Sequence, residues 1–292
     1  MAKEIIFRGV GTALITPFKS GEIDYEALRG LIEWQIRCGV EALIVGGTTA
    51  EAATLTDAER YGLFEFARDT VGGRVKLILG TGTNDTRAAV RHTRRAYDIG
   101  CDGVLAVTPY YNKGTEDGIV NHYLQIAEAS PLPVLLYNVP SRTGVNLNIR
   151  QLKRLSEHEN IVGIKEAHDS HDRLISLLEL GDKLTLYAGN DTAIYTVLSL
   201  GGAGVISVMS NAYPTLTTEI CNSFFRGEKE ESLRLQIRAL PLIRALFAET
   251  NPAPIKYLMS RLGLCTGEVR LPLSEVTEET KAQIDAVMKS FA

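Results

Sequence analysis

Gly9-Val-Gly-Thr-Ala-Leu-Ile15 runs without a charge into Thr16-Pro17-Phe18, and the turn after this run decides between two α/β architectures. A doubly wound sheet usually carries a glycine-rich nucleotide loop after its first strand. A Thr-Pro turn stands there instead, and neither GxGxxG nor GxxxxGK[ST] occurs anywhere in the chain.

Seven more short apolar runs come after it: Ala42–Val45, Val75–Leu79, Gly103–Val107, Val134–Tyr137, Ile161–Ile164, Leu184–Tyr187 and Gly204–Val208. Their starts lie 20 to 33 residues apart, room for one strand, one loop and one helix each. The segments between them carry helix signals. Leu28, Leu31, Ile32 and Ile36 recur at helical spacing. Thr56-Asp-Ala-Glu59 reads as a capping box, with Leu55 placed to staple it. Apolar strands alternating with helices mean a parallel sheet covered by helices. Eight such units predict a closed (β/α)8 TIM barrel over residues 1–227.

Beyond Gly227 the strand signals stop. Glu228–Glu249 reads as a helix with apolar Leu233, Ile237, Leu240, Ile243 and Leu246 and a bend at Pro241. Thr277–Phe291 places Ile284, Val287, Met288 and Phe291 on one face. Residues 228–292 are therefore expected to form a small helical C-terminal domain. Asn251-Pro-Ala-Pro254 reads as a rigid connector between helices, not a site.

The composition is that of an ordinary soluble globular chain. The chain has 292 residues, 45% hydrophobic and 23% charged, ample for a large core. With 31 Lys and Arg against 35 Asp and Glu, the net charge is −4, which argues against nucleic acid or an anionic membrane as partner. The opening Met1-Ala-Lys-Glu-Ile-Ile-Phe-Arg8 lacks the apolar core of a signal peptide, and no run approaches the ~18 apolar residues of a membrane span. A cytoplasmic protein is expected. Cys38, Cys101, Cys221 and Cys265 form no CxxC pair and read as buried free thiols.

In such barrels the active site lies at the C-terminal ends of the strands. Those ends hold Thr48, Thr49 and Glu51, Thr81 and Asn84, Thr108-Pro-Tyr-Tyr-Asn112, Tyr137, Asn138 and Arg142, Lys165 and Glu166, and Asn190 and Asp191. Lys165 ends the run Ile161-Val-Gly-Ile-Lys165. Burial there disfavours the ammonium and favours an amine able to attack a carbonyl; the alternative is a snorkelling or salt-bridging lysine. Tyr137, on the neighbouring strand, is either a proton shuttle for such a lysine or a packed tyrosine. Arg142 either clamps a carboxylate with its guanidinium fork or closes a loop salt bridge. Thr48 and Thr49 either meet an anion or merely turn the chain. His168-Asp-Ser-His171-Asp172 reads as a solvated loop in preference to a metal site, which needs three or four ligands in place.

Five motifs, taken in order, closely resemble the dihydrodipicolinate synthase family of pyruvate-dependent class I aldolases. They are Gly47-Thr-Thr-Ala-Glu51, Thr108-Pro-Tyr-Tyr-Asn112, Tyr137-Asn-Val-Pro-Ser-Arg-Thr-Gly144, Gly163-Ile-Lys-Glu-Ala167 and Gly204-Val-Ile-Ser-Val208. The likeness runs from Gly9 to Leu271-Pro-Leu. It implies condensation of pyruvate with L-aspartate-4-semialdehyde to 4-hydroxy-tetrahydrodipicolinate, in lysine and diaminopimelate biosynthesis. By the same resemblance Lys165 forms the Schiff base and Tyr137 is the acid/base. Thr48 links Tyr137 to Tyr111, which crosses a dimer interface. Thr49 holds the pyruvate carboxylate, Arg142 holds that of the semialdehyde, and the main chain at Ile206 lines the pyruvate pocket. A homodimer or homotetramer is implied, with no cofactor and no metal, because the protonated imine is itself the electron sink.

The chain departs from the family in two places. Ala50 stands where the family has glycine; if that position needs a positive φ, alanine costs about 1–2 kcal/mol or the loop shifts. In lysine-inhibited members an interface pocket uses a serine, two histidines, an asparagine, a glutamate and a tyrosine. The matching positions here are Ala52, Asp57, Arg60, Asn84, Ala88 and Tyr110, so lysine inhibition is expected to be weak or absent. Two rival readings are N-acetylneuraminate or keto-deoxy-sugar lyases of the same superfamily, which generally lack an arginine at position 142, and a non-catalytic keto-acid-binding barrel, which has no need of Lys165 and Tyr137.

Overall fold

The computed structural model describes residues 3–168 and 170–291. Strands Gly9–Ala13 (β1), Ala42–Val45 (β4), Lys76–Gly80 (β5), Gly103–Val107 (β6), Val134–Asn138 (β7), Ile161–Glu166 (β8), Thr185–Ala188 (β9) and Gly204–Ser207 (β10) close into a parallel barrel. A short antiparallel hairpin, Phe18–Lys19 (β2) with Glu22–Ile23 (β3), lies between the first two barrel strands. The eight apolar runs of the sequence are these eight strands, shifted at some ends by one or two residues. The hairpin is an addition to the eight units expected from the sequence. Ser20 (φ 54°) and Gly21 (φ 85°) give it the left-handed two-residue turn that such hairpins favour.

The helices form where the capping chemistry permits. Tyr25–Arg37 buries Leu28, Leu31 and Ile32, and the side chain of Asp24 accepts the N–H of Ala27. Asp57–Val71 opens on the reciprocal bonds of Thr56 and Glu59, with Leu55 buried ahead of it. One apolar layer between strands and helices continues into the C-terminal helices through Leu235, Ile243, Ile255, Leu258 and Ile284. A second cluster fills the barrel, with Ile44, Ile78, Leu105, Leu135, Tyr137, Tyr187 and Ile206 facing inward. Phe7, just before β1, stacks on Tyr187 at 4.5 Å, and its carbonyl oxygen accepts the Tyr187 hydroxyl at 2.7 Å, packing the N-terminal mouth.

The C-terminal part contains helices Lys229–Leu246, Ala253–Arg261 and Glu278–Met288. The first of these continues through Pro241. The second corrects the reading of Asn251-Pro-Ala-Pro254. Ala253 and Pro254 start a helix, where the missing N–H of proline costs nothing, and Asn251 enters the cavity at the barrel mouth. All four cysteines are free; Cys101 and Cys221 are buried, whereas Cys38, at the C-cap of the first helix, and Cys265 are only half-buried. Met1 and Ala2 of the N-terminal stretch, and Asp169 of the histidine-rich stretch, lie outside the described residues. Among the described residues no helix is long and apolar enough to cross a membrane.

Candidate active site

Lys165 is the fifth residue of β8 and is 5% exposed. Parallel pairing puts it in register with Tyr137 on β7 and Tyr187 on β9, so all three side chains leave the sheet on the same side. Its Nζ lies 4.3 Å from the centre of the Tyr137 ring. Among the described residues that amine has no hydrogen bond or ion pair, which disposes of a salt-bridging lysine. The next residue, Glu166, is locked by Asn138 Nδ2 (2.8 Å), the N–H of His168 (3.0 Å) and Arg173 Nε (2.9 Å). Burial pushes the Glu166 carboxyl pKa up, against the pull of Arg173. This cluster braces the strand end that carries Lys165.

Thr48, Tyr137 and Arg142 come together around a cavity of about 530 Å³, with Tyr110, Val139 and Asn251 in its wall. The loop after β4 comes close enough to β5 that a Cβ on Gly80 would lie 2.2 Å from the carbonyl oxygen of Gly46. Only glycine fits there. The left-handed residue of the next turn is Glu51 (φ 56°), and Ala50 is buried without a positive φ. The condition under which alanine would strain the loop is therefore not met. Arg142 sits in the short helix Pro140–Thr143, which starts on a proline and ends on left-handed Gly144.

Asn251 is the site residue that the sequence reading missed. Its Nδ2 donates to Thr49 Oγ1 at 3.0 Å, and its carbonyl oxygen accepts from Arg142 Nη2 at 3.1 Å. It thereby joins two anion-binding candidates, while its own Oδ1 is buried without a donor. Glu51 has a partner equally distant in sequence. Its carboxylate pairs with Lys256, which is fully buried, and accepts the N–H of Arg270 at 2.8 Å. Lys256 also caps the Phe18 ring at 4.2 Å. Burial pulls the Lys256 pKa down, opposed by Glu51.

Thr49 and Ile206 are buried, Ile206 inside the barrel opposite Gly11 of β1. Tyr111 does not join the others. It is 89% exposed and in the left-handed region at φ 69°. Ala52, Asp57, Arg60, Ala88 and Tyr110 line the outer part of the same cavity. There Arg60 donates to the Ala52 carbonyl at 2.7 Å, and Asp57 pairs with Arg91 at 3.3 Å. Asn84 bonds Asn112 Nδ2 through its carbonyl at 3.1 Å. Among the described residues no group of three or more His, Cys, Asp or Glu is arranged to hold a metal ion.

The model of the dihydrodipicolinate synthetase family matches residues 6–291. The chain belongs to that family. The 4-hydroxy-tetrahydrodipicolinate synthase of Clostridium novyi is 42% identical over 98% of this chain and 97% of its own length. The crystal structure of dihydrodipicolinate synthase from Thermotoga maritima superposes with a TM-score of 0.95 at 40% identity, covering 98% of this chain and 99% of that one. A structure of the Cyanidioschyzon merolae enzyme with lysine bound matches with a TM-score of 0.94 at 38% identity, over 98% of this chain and 99% of that one. A synthetase-family barrel thus carries Lys165, Tyr137 and Arg142 at its strand ends.

Proposed function

We infer that this chain is a 4-hydroxy-tetrahydrodipicolinate synthase that joins pyruvate to L-aspartate-4-semialdehyde through an imine on Lys165. One observation carries the reading: a buried amine without a hydrogen-bond partner, packed against the ring of a tyrosine at the mouth of the barrel. An amine held so is ready to attack the ketone of pyruvate. Water leaves the carbinolamine, and the protonated imine draws electrons from the adjacent methyl group, which loses a proton to give the enamine. That carbon attacks the aldehyde. The amine of the semialdehyde then displaces Lys165 as the ring closes, and the enzyme amine is returned.

Each proton transfer has a group at hand. We assign these transfers to the phenol of Tyr137, whose ring lies against the amine, and to Thr48, which lines the same cavity as Tyr137. Thr49, with the main chain near Ile206, holds the pyruvate carboxylate. Arg142, which pairs with no carboxylate among the described residues, is free to receive that of the semialdehyde. An arginine in this position suits a small acidic aldehyde better than a sugar.

The exposed, left-handed Tyr111 supports a homodimer in which each copy lends this residue to the other's relay, with a homotetramer as its doubling. Non-glycine residues with a positive φ are uncommon and cluster at functional sites. We place the enzyme in the cytoplasm, with no nucleic acid or membrane partner. Borohydride reduction in the presence of pyruvate, with peptide mapping of the product, tests the chemistry. A pyruvyl adduct on Lys165 is expected, and a folded sample that gives none would overturn the imine mechanism.

A further inference from the structure

Tyr137 and Lys165 are the next-to-last residues of β7 and β8, and their neighbours Asn138 and Glu166, also register partners, end the two strands. Successive side chains of a strand leave opposite faces. Tyr137 and Lys165 therefore enter the barrel, whereas Asn138 and Glu166 point out to the helix layer. There the two outward side chains meet, Asn138 Nδ2 donating to Glu166 Oε1 at 2.8 Å. Each is anchored on its own side. Asn138 also donates to Asn146 Oδ1 at 2.8 Å and accepts the N–H of Leu147 at 3.1 Å. Glu166 accepts the N–H of His168 at 3.0 Å and Nε of Arg173 at 2.9 Å, Arg173 coming from the helix His171–Leu177. Asn138, Glu166 and Arg173 are all buried. The main chain is bonded at the same level: Asn138 O accepts the N–H of Ala167 at 2.9 Å, and Glu166 O accepts that of Gly189 at 2.7 Å.

We propose that Asn138 and Glu166 are positioning residues whose side-chain bond ties the ends of β7 and β8, so that the Lys165 amine and the Tyr137 phenol keep one fixed relation. The inference rests on the proposed imine at Lys165. Chain ends open more readily than the centres of core strands. Beyond this pair the two chains part, β7 into the short helix Pro140–Thr143 and β8 towards His171–Leu177. Without the tie, the 4.3 Å between amine and ring would rest on the backbone rungs alone. A buried ion pair contributes little to stability beyond apolar side chains of similar volume. What Glu166 and Arg173 supply is a fixed geometry, and a misplacement of about 1 Å at a reacting pair can cost about a hundredfold in rate.

Two double variants separate the tie from the charge. Glu166→Gln with Arg173→Met removes the ion pair but keeps an amide oxygen for Asn138 Nδ2 and the His168 N–H. Glu166→Leu with Arg173→Met removes the ion pair and the acceptor together. The first is expected to turn over close to the wild type. The second is expected to lose about a hundredfold in kcat, with KM for pyruvate and for the semialdehyde little changed. A merely structural role predicts the reverse, a lower melting temperature with equal kcat in the folded samples. Asn138→Ala removes the same bond from the other strand and should show the same fall in kcat if the leucine variant does not fold.

The loss should also depend on the hydroxyl being aligned. Combined with Tyr137→Phe, either change is expected to cost far less than it does with Tyr137 in place, because residues that act as one unit are not additive. Equal kcat in the glutamine and leucine variants, or the same fractional loss with and without the Tyr137 hydroxyl, would overturn the proposal. A wild type that gives no borohydride adduct with pyruvate would overturn the imine reading instead.

Discussion

The Nζ of Lys165 stands 4.3 Å from the centre of the Tyr137 ring, and the two residues are direct partners in the register of adjacent parallel strands. The ring is thus a wall for the amine and its hydroxyl a separate chemical tool. Tyr137→Phe keeps the wall and removes the tool. The turnover number is expected to fall by about a hundredfold to a thousandfold, as loss of a general acid/base does, with the melting temperature and the borohydride adduct retained. Loss of the adduct in a folded variant would mean that the hydroxyl is needed for imine formation itself.

Asn251 ties Thr49, 202 residues earlier, to Arg142, 109 residues earlier. Asn251→Ala removes the bond to Thr49 and leaves a buried hydroxyl without a donor, a loss of about 1–3 kcal/mol. KM is expected to rise by about tenfold, near 1.4 kcal/mol, for at least one substrate. Unaltered KM values for both substrates would show that the tie has no part in binding.

Ala50 is not in the left-handed region; Glu51 is. Ala50→Gly therefore relieves no strain and only loosens the unfolded chain, at a cost of about 0.4–1 kcal/mol. A lower melting temperature with unchanged kinetics is expected. A gain in turnover would show that the alanine holds the Thr48-Thr49 loop away from its working geometry.

His92 and His122 have their pKa values lowered by burial to about 4, from 6.5 for a free imidazole. The folded chain keeps both rings neutral where the unfolded chain would charge them. Their contribution to stability is whole above about pH 6.5 and declines as pH falls towards 4. Denaturant titrations should show unfolding free energy dropping across that window, with a shallower slope for His122→Gln. An equal slope in the variant would remove His122 from the account.

Arg60 and Ala88 line the cavity, and by the resemblance drawn from the sequence they take the places of a histidine and a glutamate in lysine-inhibited members. With a guanidinium added and a carboxylate removed, the cavity repels an amino acid with two amines. Millimolar lysine is expected to leave the initial rate unchanged. Half inhibition at micromolar lysine would contradict this.

The barrel was legible in the sequence because each strand is buried on both sides and so written as an unbroken apolar run, as in Ala42–Val45 and Gly103–Val107. Lys165, Tyr137 and Arg142 were legible as polar residues at the ends of such runs. Asn251 and Lys256 were not, since their partners Thr49 and Glu51 lie 202 and 205 residues earlier, and no local pattern encodes a contact of that reach. Whether Ala50 is strained could not be read from the sequence, for a related reason. Which residue of a tight turn takes the positive φ depends on what its neighbours bond to, and here Glu51 is drawn in by Lys256 and Arg270.

That grip also bears on how such an enzyme can change. A graft of the C-terminal helices from another barrel would leave Glu51 as an uncompensated anion in an apolar interior unless the incoming segment carried its own lysine at the matching turn. The carboxylate on one side and the ammonium on the other act as a lock and its key, so a change in one stretch has to be matched in the other.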